Sequence, residues 1–195
     1  MRPPPLLVGW LWVAFFAFWL ILAQFNKRAS PNAPWRTAWG VRLAVAVIAV
    51  FLIISSRRQA ASGVLVPVGR ALTLHAGIAG EWLGVGLCLA GFGFAIWARV
   101  HLGRNWGMPM SLRQGHELVT SGPYAYVRHP IYTGILLAMI GSAVARGLWW
   151  GLLFLLCFAY FLFSARTEEK MMLAQFPEAY AAYRRRTRML IPFVF

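Results

Sequence analysis

Residues 131–165 read IYTGILLAMIGSAVARGLWWGLLFLLCFAYFLFSA, an apolar block that a single charged residue, Arg146, interrupts. A continuous helix over this range would overshoot a hydrocarbon core of about 30 Å by more than about 15 Å, because each residue adds about 1.5 Å. The block therefore predicts a tight helical hairpin. Arg146 is expected at its tip, near headgroups or water, because a cation at the bilayer centre costs about 2.5 to 3.5 kcal/mol.

The composition of the whole chain also indicates a membrane protein, since 60% of its 195 residues are hydrophobic and only 12% are charged. Such a chain has too little polar surface for a water-soluble globule. Residues 6–25, 38–55 and 81–100 are each long and apolar enough to cross a bilayer. With the hairpin they predict an all-α integral membrane protein with five transmembrane helices. We divide it into an N-terminal membrane region, residues 1–79, and a core, residues 80–195.

The third of these spans is rich in glycine, which favours close approach of another helix. We expect its glycines to pack against a neighbouring helix: Gly80, Gly84, Gly86, Gly91 and Gly93. The two cysteines, Cys88 and Cys157, lie in apolar segments without a histidine or carboxylate at metal-ligand spacing. The sequence therefore predicts neither a disulfide framework nor a metal site.

The formal net charge is +14, with 19 lysines and arginines against five acidic residues. The basic residues flank apolar segments, an arrangement typical of contacts with anionic headgroups and of the positive-inside rule. Membrane lipids are the expected partners, and no nucleic-acid partner is expected. Because most of these cations then lie inside, the C-terminus is predicted to be cytoplasmic, and residues 101–130 and 166–195 should emerge on that same face.

Both of these stretches contain polar residues that could build a site. Residues 116–134 read HELVTSGPYAYVRHPIYTG, and Glu168 and Glu169 follow the apolar block. Pro130 favours the first turn of a helix, whose free N–H groups would give a positive end beside His129 and Tyr132. Carboxylates facing this end would form a pocket suited to a zwitterion.

The same residues carry a family resemblance. The motif HELVTSGPYAYVRHPIYTG, the hairpin, EEKMMLAQFPEAYAAY at residues 168–183 and the late IPF resemble the isoprenylcysteine carboxyl methyltransferase family and its bacterial relatives. That family is distantly similar to the phospholipid methyltransferases. The resemblance covers residues 99–195, whereas the first two spans contain no identifying residues.

The resemblance implies an S-adenosyl-methionine-dependent methyltransferase. Its cytoplasmic cofactor pocket would be formed by the loop before the hairpin and the C-terminal helices, and a lipidic or amphiphilic acceptor would enter from the bilayer. By the same implication, His129 and Glu168 are the catalytic residues, with Glu169 supporting Glu168. The residues implied to bind the cofactor are His116, Glu117, Leu118, Val119, Tyr124, His129, Pro130, Ile131, Tyr132, Glu168 and Glu169.

Two positions depart from the family pattern. In prenylcysteine enzymes an arginine near the end of the last span faces the substrate carboxylate, whereas one alignment puts Ser164 there, with Arg166 two residues away as the candidate substrate residue. Pro177 replaces a frequent glycine and should be harmless as the first residue of a helix.

The identity of the methyl acceptor stays open. A carboxylate, such as that of a prenylcysteine-like group, is already anionic and needs no base. An amine or phenol would need His129 or Glu168 as the base.

Two other functions stay open at this point. One is a membrane reductase with a nicotinamide cofactor on a similar small helical fold. The other is a non-enzymatic membrane scaffold or transporter, favoured by the lack of a serine, cysteine or metal constellation. A transporter would place polar groups at mid-membrane. In this chain the polar groups gather at one interface, which favours the methyltransferase.

Overall fold

Five α-helices and one short 3₁₀ turn make up the part of the chain that the structure, a computed structural model, describes: residues 3–23, 77–103, 106 and 117–191. This part contains no strand, only an isolated bridge between Val127 and Arg188. The all-α prediction is confirmed for these residues. In chain order the elements are α1 (Pro3–Ala23), α2 (Gly77–Leu102), the 3₁₀ turn (Gly122–Ala125), α3 (Pro130–Arg146), α4 (Leu148–Gln175) and α5 (Pro177–Arg186).

Three of the described helices, α1, α2 and α4, are long and apolar enough to cross a membrane. The apolar α3 is shorter, with 17 residues, which corresponds to about 25 Å at 1.5 Å per residue. The chain is thus an integral membrane protein. The expected second span, residues 38–55, lies outside the described residues, so the count of five spans stays a prediction.

Helices α3 and α4 form the expected hairpin. They are joined by Gly147, whose φ of 100° is a conformation that favours glycine. Tyr132, in the first turn of α3, stacks on Phe161 near the far end of the apolar block, with ring centroids 4.5 Å apart. The two helices therefore run antiparallel, and Arg146 lies at the tip, as predicted.

Helix α4 continues beyond the apolar block and ends at Gln175. The residues after position 165 include Glu, Lys, Met, Leu and Ala, which have high helix propensity. Pro177 then prevents the helix from continuing, because the residue before a proline is disfavoured in the helical conformation. The hairpin's second arm consequently carries Glu168 and Glu169 on a regular helix rather than on a loop, and Pro177 opens α5, as predicted.

Helices α2 and α3 pack against each other through two pairs of glycines. A Cβ atom added at Gly84 would lie 2.5 Å from the carbonyl oxygen of Gly141, and one added at Gly91 would lie 2.5 Å from that of Gly134. The close-packing expectation is confirmed for Gly84 and Gly91. Gly86 and Gly93 point away from α3, and a Cβ added at either meets nothing within 4 Å in the described part of the chain. Because the expected second span lies outside the described residues, close packing at these two glycines stays a prediction.

Helix α1 joins this bundle through an aromatic cluster. The indole nitrogen of Trp12 donates a hydrogen bond to Ser142 Oγ at 2.9 Å, and the Trp12 ring stacks on Trp150 at 5.6 Å between centroids. Phe15 stacks on Phe92 of α2 at 4.6 Å. Because these side chains come from α1, α2, α3 and α4, they form the common core of the bundle.

Arg99 ties the ends of α1 and α2 together. Its guanidinium donates to the carbonyl oxygens of Leu22 at 3.0 Å and Gly103 at 2.9 Å, and its Cζ lies 4.6 Å from the ring centroid of Trp106. A cation at the C-terminal ends of two helices interacts favourably with both helix dipoles. Arg99 thus fixes the end of the bundle from which the loop towards α3 leaves.

Candidate functional site

The loop before the hairpin is paired with the segment that follows α5. The backbone N–H of Arg128 donates to the carbonyl of Arg188 at 2.8 Å, and that of His129 donates to the carbonyl of Met189 at 3.1 Å. The two stretches that the sequence placed on one face of the membrane therefore touch. The side of the membrane on which they lie stays a prediction.

Arg128 connects this pairing to α4. Its Nε donates to Glu169 Oε1 at 2.6 Å, and both side chains are almost fully buried, with 7% and 5% exposed. Its Nη1 also donates to the carbonyl oxygens of Thr187 and, at 3.4 Å, Arg184. One buried guanidinium thus satisfies acceptors on two separate segments, which the fork of an arginine can do and the single ammonium of a lysine cannot.

His129 lies between the two carboxylates of α4. Its Nδ1 is 3.5 Å from Glu168 Oε2, and its Nε2 is 3.6 Å from Glu169 Oε1. The side chain is 9% exposed. Burial alone lowers the pKa of an imidazole, but attraction by the neighbouring carboxylates of Glu168 and Glu169 outweighs it and raises the pKa of His129. Among the described residues, its buried Nε2 has no hydrogen-bond partner.

Tyr132 and Ser164 converge on the other oxygen of Glu168. The phenol of Tyr132 donates to Glu168 Oε1 at 2.5 Å, Ser164 Oγ donates to the same oxygen at 3.0 Å, and the two hydroxyls are 3.1 Å apart. The Tyr132 ring is stacked between His129, at 5.5 Å, and Phe161, at 4.5 Å. These contacts fix the carboxylate of Glu168 and the ring of His129 relative to each other.

The start of α3 explains how His129 reaches this position. Pro130 is the first helical residue, as predicted, and His129 precedes the helix with an extended φ of −124°. Thr133 Oγ1 then donates to the carbonyl of His129 at 3.1 Å and to that of Leu190 at 2.6 Å. The proline and the threonine together hold His129 at the helix entrance, beside the C-terminal segment.

The 3₁₀ turn adds Tyr124 to the edge of the site. Gly122 has a φ of 59° and lies against the His101 imidazole, where a Cβ would be 2.7 Å from Cε1. The buried Tyr124 accepts a hydrogen bond at its carbonyl oxygen from the Tyr183 phenol at 2.6 Å. Burial raises the pKa of Tyr124, and the charges of Tyr183 and Glu168 act in the same direction. The phenol of Tyr124 therefore stays neutral.

The structure brings together four of the predicted site residues: His129, Tyr132, Glu168 and Glu169. Ile131 packs beside them against the apolar cluster of Tyr132, Ala165 and Leu190. The other predicted residues are less closely joined. Among the described residues, no side-chain hydrogen bond or ion pair links Glu117, Leu118, Val119 or Arg166 to the four, and Glu117 and Arg166 are exposed. His116 lies outside the described residues.

Sequence reasoning missed three features of the site. It did not include Arg128 among the predicted site residues, but Arg128 is a buried partner of Glu169. It treated Ser164 only as the position of a missing arginine, but Ser164 donates to Glu168. A spacing signal existed for Ser164, since positions 164 and 168 lie one helical turn apart. No residue type or spacing indicated that backbone carbonyls of residues 184–190 would accept hydrogen bonds at the site.

Comparison with known proteins identifies the family of the chain. The family model for phospholipid methyltransferases matches residues 80–179, just over half of the chain. The cobalt-zinc-cadmium resistance protein CzcN of Cupriavidus metallidurans is 38% identical over 94 residues, 47% of this chain and 43% of that protein. The protein-S-isoprenylcysteine O-methyltransferase of Schizosaccharomyces pombe is 36% identical over 81 residues, 40% of this chain and 34% of that protein. The chain thus spans less than half the length of these two relatives.

A solved structure agrees with the fold. The eukaryotic intramembrane Ras methyltransferase ICMT (isoprenylcysteine carboxyl methyltransferase) superposes with a TM-score of 0.61 at 24% identity, over 76% of this chain and 53% of that one. At this identity the likeness shows the fold alone. Because the family model matches more than half of the chain, including the hairpin and the glutamate pair, the chain belongs to the phospholipid methyltransferase family.

Proposed function

We propose that the protein is an S-adenosyl-methionine-dependent methyltransferase that acts on a lipidic or amphiphilic acceptor at the membrane. The observation that carries the proposal is His129, buried between Glu168 and Glu169 at the entrance of the hairpin. Membership of a methyltransferase family supports the same reaction class. The imidazole of His129 and the two carboxylates lie where apolar helices begin and end. A charged methyl donor and a lipid could meet at such a position.

The residues present fit the amino-acid end of such a donor. The buried His129 Nε2 has no hydrogen-bond partner among the described residues and would donate to a carboxylate when protonated. The Glu168 carboxylate would accept hydrogen bonds from an ammonium group. Glu169, which is held by Arg128, would support the protonated His129 from the other side. The loop residues 116–119 and Tyr124 would lie along the rest of the donor, as the family resemblance implies.

When bound, S-adenosyl-methionine supplies an electrophilic methyl group on a sulfonium centre. The chain itself has to orient the acceptor and exclude water. The ring stack of His129, Tyr132 and Phe161 forms an apolar wall beside the carboxylate of Glu168. The C-terminal segment covers the other side by its backbone bonds to residues 128 and 129.

The acceptor would reach the site from the bilayer. Partly buried apolar side chains of the hairpin, Ile131, Phe158, Phe161 and Leu162, lie directly beside the polar cluster and would receive a lipid chain. A carboxylate acceptor, such as that of a prenylcysteine-like group, is already anionic and needs no base. An amine or phenol would transfer its proton to Glu168, or to His129 when the imidazole is neutral. Arg166 stays the proposed contact for an anionic acceptor.

Isothermal titration calorimetry on the detergent-solubilised protein tests the donor. S-adenosyl-methionine and S-adenosyl-homocysteine are expected to bind folded protein without added metal. A nicotinamide nucleotide, titrated in parallel, is expected to give no heat of binding. Binding of the nicotinamide nucleotide alone would overturn the proposal in favour of a membrane reductase, and binding of none of the three would favour a scaffold or transporter.

We also propose that the site faces the cytoplasm. The support is the positive-inside rule applied to the basic residues around α4 and α5. With Cys88 and Cys157 replaced, a thiol introduced by Glu178→Cys should react with an impermeant reagent only from the cytoplasmic side. One introduced by Arg146→Cys should react only from the opposite side. Labelling of both from the same side would contradict the hairpin orientation.

A further inference from the structure

The end of α5 and the residues after it form a strongly basic surface, which we call the basic segment: Arg184, Arg185, Arg186 and Arg188. All four side chains are exposed. Residues 179–191 contain no acidic residue. Among the described residues, Arg184 lies 3.5 Å from Glu169 Oε2, and no ion pair is found for the other three arginines.

The basic segment lies at the edge of the apolar hairpin. Two residues after Arg188, the buried Leu190 packs against an apolar cluster that includes Ile131, Phe161 and Leu162. Thr133, in the first turn of α3, donates to the Leu190 carbonyl at 2.6 Å. Leu190 thus packs where α3 begins and where the apolar part of α4 ends. We therefore expect the preceding arginines at the depth of lipid headgroups.

The same segment covers the candidate site. The carbonyl of Arg188 accepts from the backbone N–H of Arg128, and the carbonyl of Thr187 accepts from the Arg128 guanidinium. The carbonyl of Met189 accepts from His129. Anything that fixes the side chains of the basic segment therefore also restrains the backbone that closes over His129.

We propose that the basic segment docks onto the phosphates of anionic phospholipids, and that this contact holds the C-terminal segment closed over the donor site. The part concerning the donor rests on the proposed function. Guanidinium groups bind phosphate oxygens in a bidentate manner, and a basic residue near an anionic leaflet is attracted to it. The partner is a lipid rather than a soluble phosphate because the adjoining Leu190 lies in the apolar cluster of the membrane helices.

Binding of fluorescent phosphatidylglycerol to the detergent-solubilised full chain tests the docking, with fluorescent phosphatidylcholine as the reference lipid. Arg185→Gln/Arg186→Gln should weaken phosphatidylglycerol binding about 25-fold, since each arginine at an anionic surface contributes about 5-fold. Arg185→Lys/Arg186→Lys keeps both charges and should retain most of the affinity. Lys170→Gln removes an exposed cation from α4 and should change the affinity little. Equal binding of both lipids by the wild type, or an unchanged affinity in the Gln/Gln variant, would overturn the proposal.

Amide hydrogen exchange of residues 187–190 tests the closure without any donor. In lipid nanodiscs, phosphatidylglycerol should slow this exchange relative to phosphatidylcholine, and the Gln/Gln variant should lose the difference. Inorganic phosphate added to phosphatidylcholine nanodiscs should not reproduce it. If inorganic phosphate protects these amides equally well, the segment is a site for soluble anions and the lipid proposal is wrong.

The affinity for S-adenosyl-methionine, measured in the same two nanodiscs, completes the test. Phosphatidylglycerol should tighten binding by about 5-fold or more, the lower end of usual coupling between two sites. Lipid-dependent protection without any donor binding would sink the proposed function and leave the lipid docking intact. Donor binding that is equal in both lipids, without lipid-dependent protection, would sink the docking and leave the proposed function intact.

Discussion

Arg128 and Glu169 are 41 positions apart in the chain, and their side chains meet at 2.6 Å in a buried hydrogen-bonded ion pair. The pair links the loop before α3, helix α4 and the segment after α5. Arg128 also donates to the carbonyl of Thr187, and Glu169 also lies 3.6 Å from His129. The loop and the hairpin together supply the side chains of the candidate site, and the C-terminal segment is bonded to them through the Thr187 carbonyl.

Replacing Arg128 with glutamine should destabilise the protein by about 3 to 5 kcal/mol, the usual cost of removing one partner of a buried ion pair. The C-terminal segment should also loosen, because the bond to the Thr187 carbonyl is lost. Thermal unfolding in detergent measures the first effect, and faster amide exchange at residues 187–190 measures the second. Arg128→Lys should recover part of the stability and little of the protection, since an ammonium cannot serve both acceptors.

Arg184→Gln is the matched control for this variant. Arg184 also faces Glu169, at 3.5 Å, but its side chain is 53% exposed. Exposed ion pairs contribute about 0 to 1 kcal/mol, so the melting temperature should change little. An equal drop in melting temperature for Arg128→Gln and Arg184→Gln would contradict this. It would mean that Glu169 needs only a nearby positive charge and not the buried hydrogen bond from Arg128.

The pairing of distant segments could be predicted from the sequence only in part. The apolar block with Arg146 and Gly147 at its centre indicates a hairpin, and the hairpin brings Glu168 back towards His129. The docking of residues 187–190 could not be predicted in the same way. It depends on backbone carbonyls, which every residue has, so no residue type or spacing reveals which of them will accept from Arg128.

Glu168→Gln should weaken binding of S-adenosyl-methionine by about 10- to 100-fold, corresponding to about 1.5 to 3 kcal/mol for hydrogen bonds to a charged group. The change is nearly isosteric and removes the charge that Tyr132 and Ser164 now stabilise. Calorimetry and methyl-transfer assays on the same preparation measure it. Glu178→Gln, an exposed change in the first turn of α5, should leave both values near the wild type. Wild-type affinity in Glu168→Gln would place the donor elsewhere.

Gly91→Ala should destabilise the bundle by about 1 to 3 kcal/mol or more, as overpacking does. The added Cβ would lie 2.5 Å from the backbone carbonyl of Gly134, so α2 and α3 would have to separate. Gly93→Ala introduces the same atom on the same helix but into open space. It should be neutral or stabilising by up to about 1 kcal/mol, because alanine has the higher helix propensity. Equal melting temperatures in detergent for the two variants would show that the helices do not pack this closely.

The glycine pattern also shows what a sequence can and cannot reveal about packing. Gly84, Gly86, Gly91 and Gly93 are equally good candidates when only the composition of the span is considered. Only Gly84 and Gly91, seven positions apart, share a face with the matching pair Gly134 and Gly141. A spacing of seven occurs in both segments, but Gly86 and Gly93 have the same spacing, so it does not identify the contacting pair. The sequence does not reveal which face of the span turns towards the other helix.

The protonation of His129 should make the stability of the protein dependent on pH. Its pKa is raised in the folded protein above the ordinary value of about 6.5, because Glu168 and Glu169 outweigh the opposing effect of burial. A raised pKa means that the folded state binds the proton more tightly than the unfolded state. The stabilisation is therefore fully present below about pH 6.5 and is lost as the pH rises through the pKa of the folded protein.

Thermal unfolding of the wild type and of His129→Gln across this range is the measurement. The imidazole is the group of this cluster whose ordinary pKa, about 6.5, lies in this range. Burial raises the pKa of the Glu169 carboxyl, but His129 and Arg128 outweigh burial and lower that pKa, which moves its titration away from this range. The wild-type melting temperature should fall with rising pH relative to that of the variant, and the difference between the two should become constant at high pH. If the curves stay parallel across the range, the glutamate pair does not stabilise the protonated form of His129. The assignment of His129 as a donor to the carboxylate of the cofactor is then wrong.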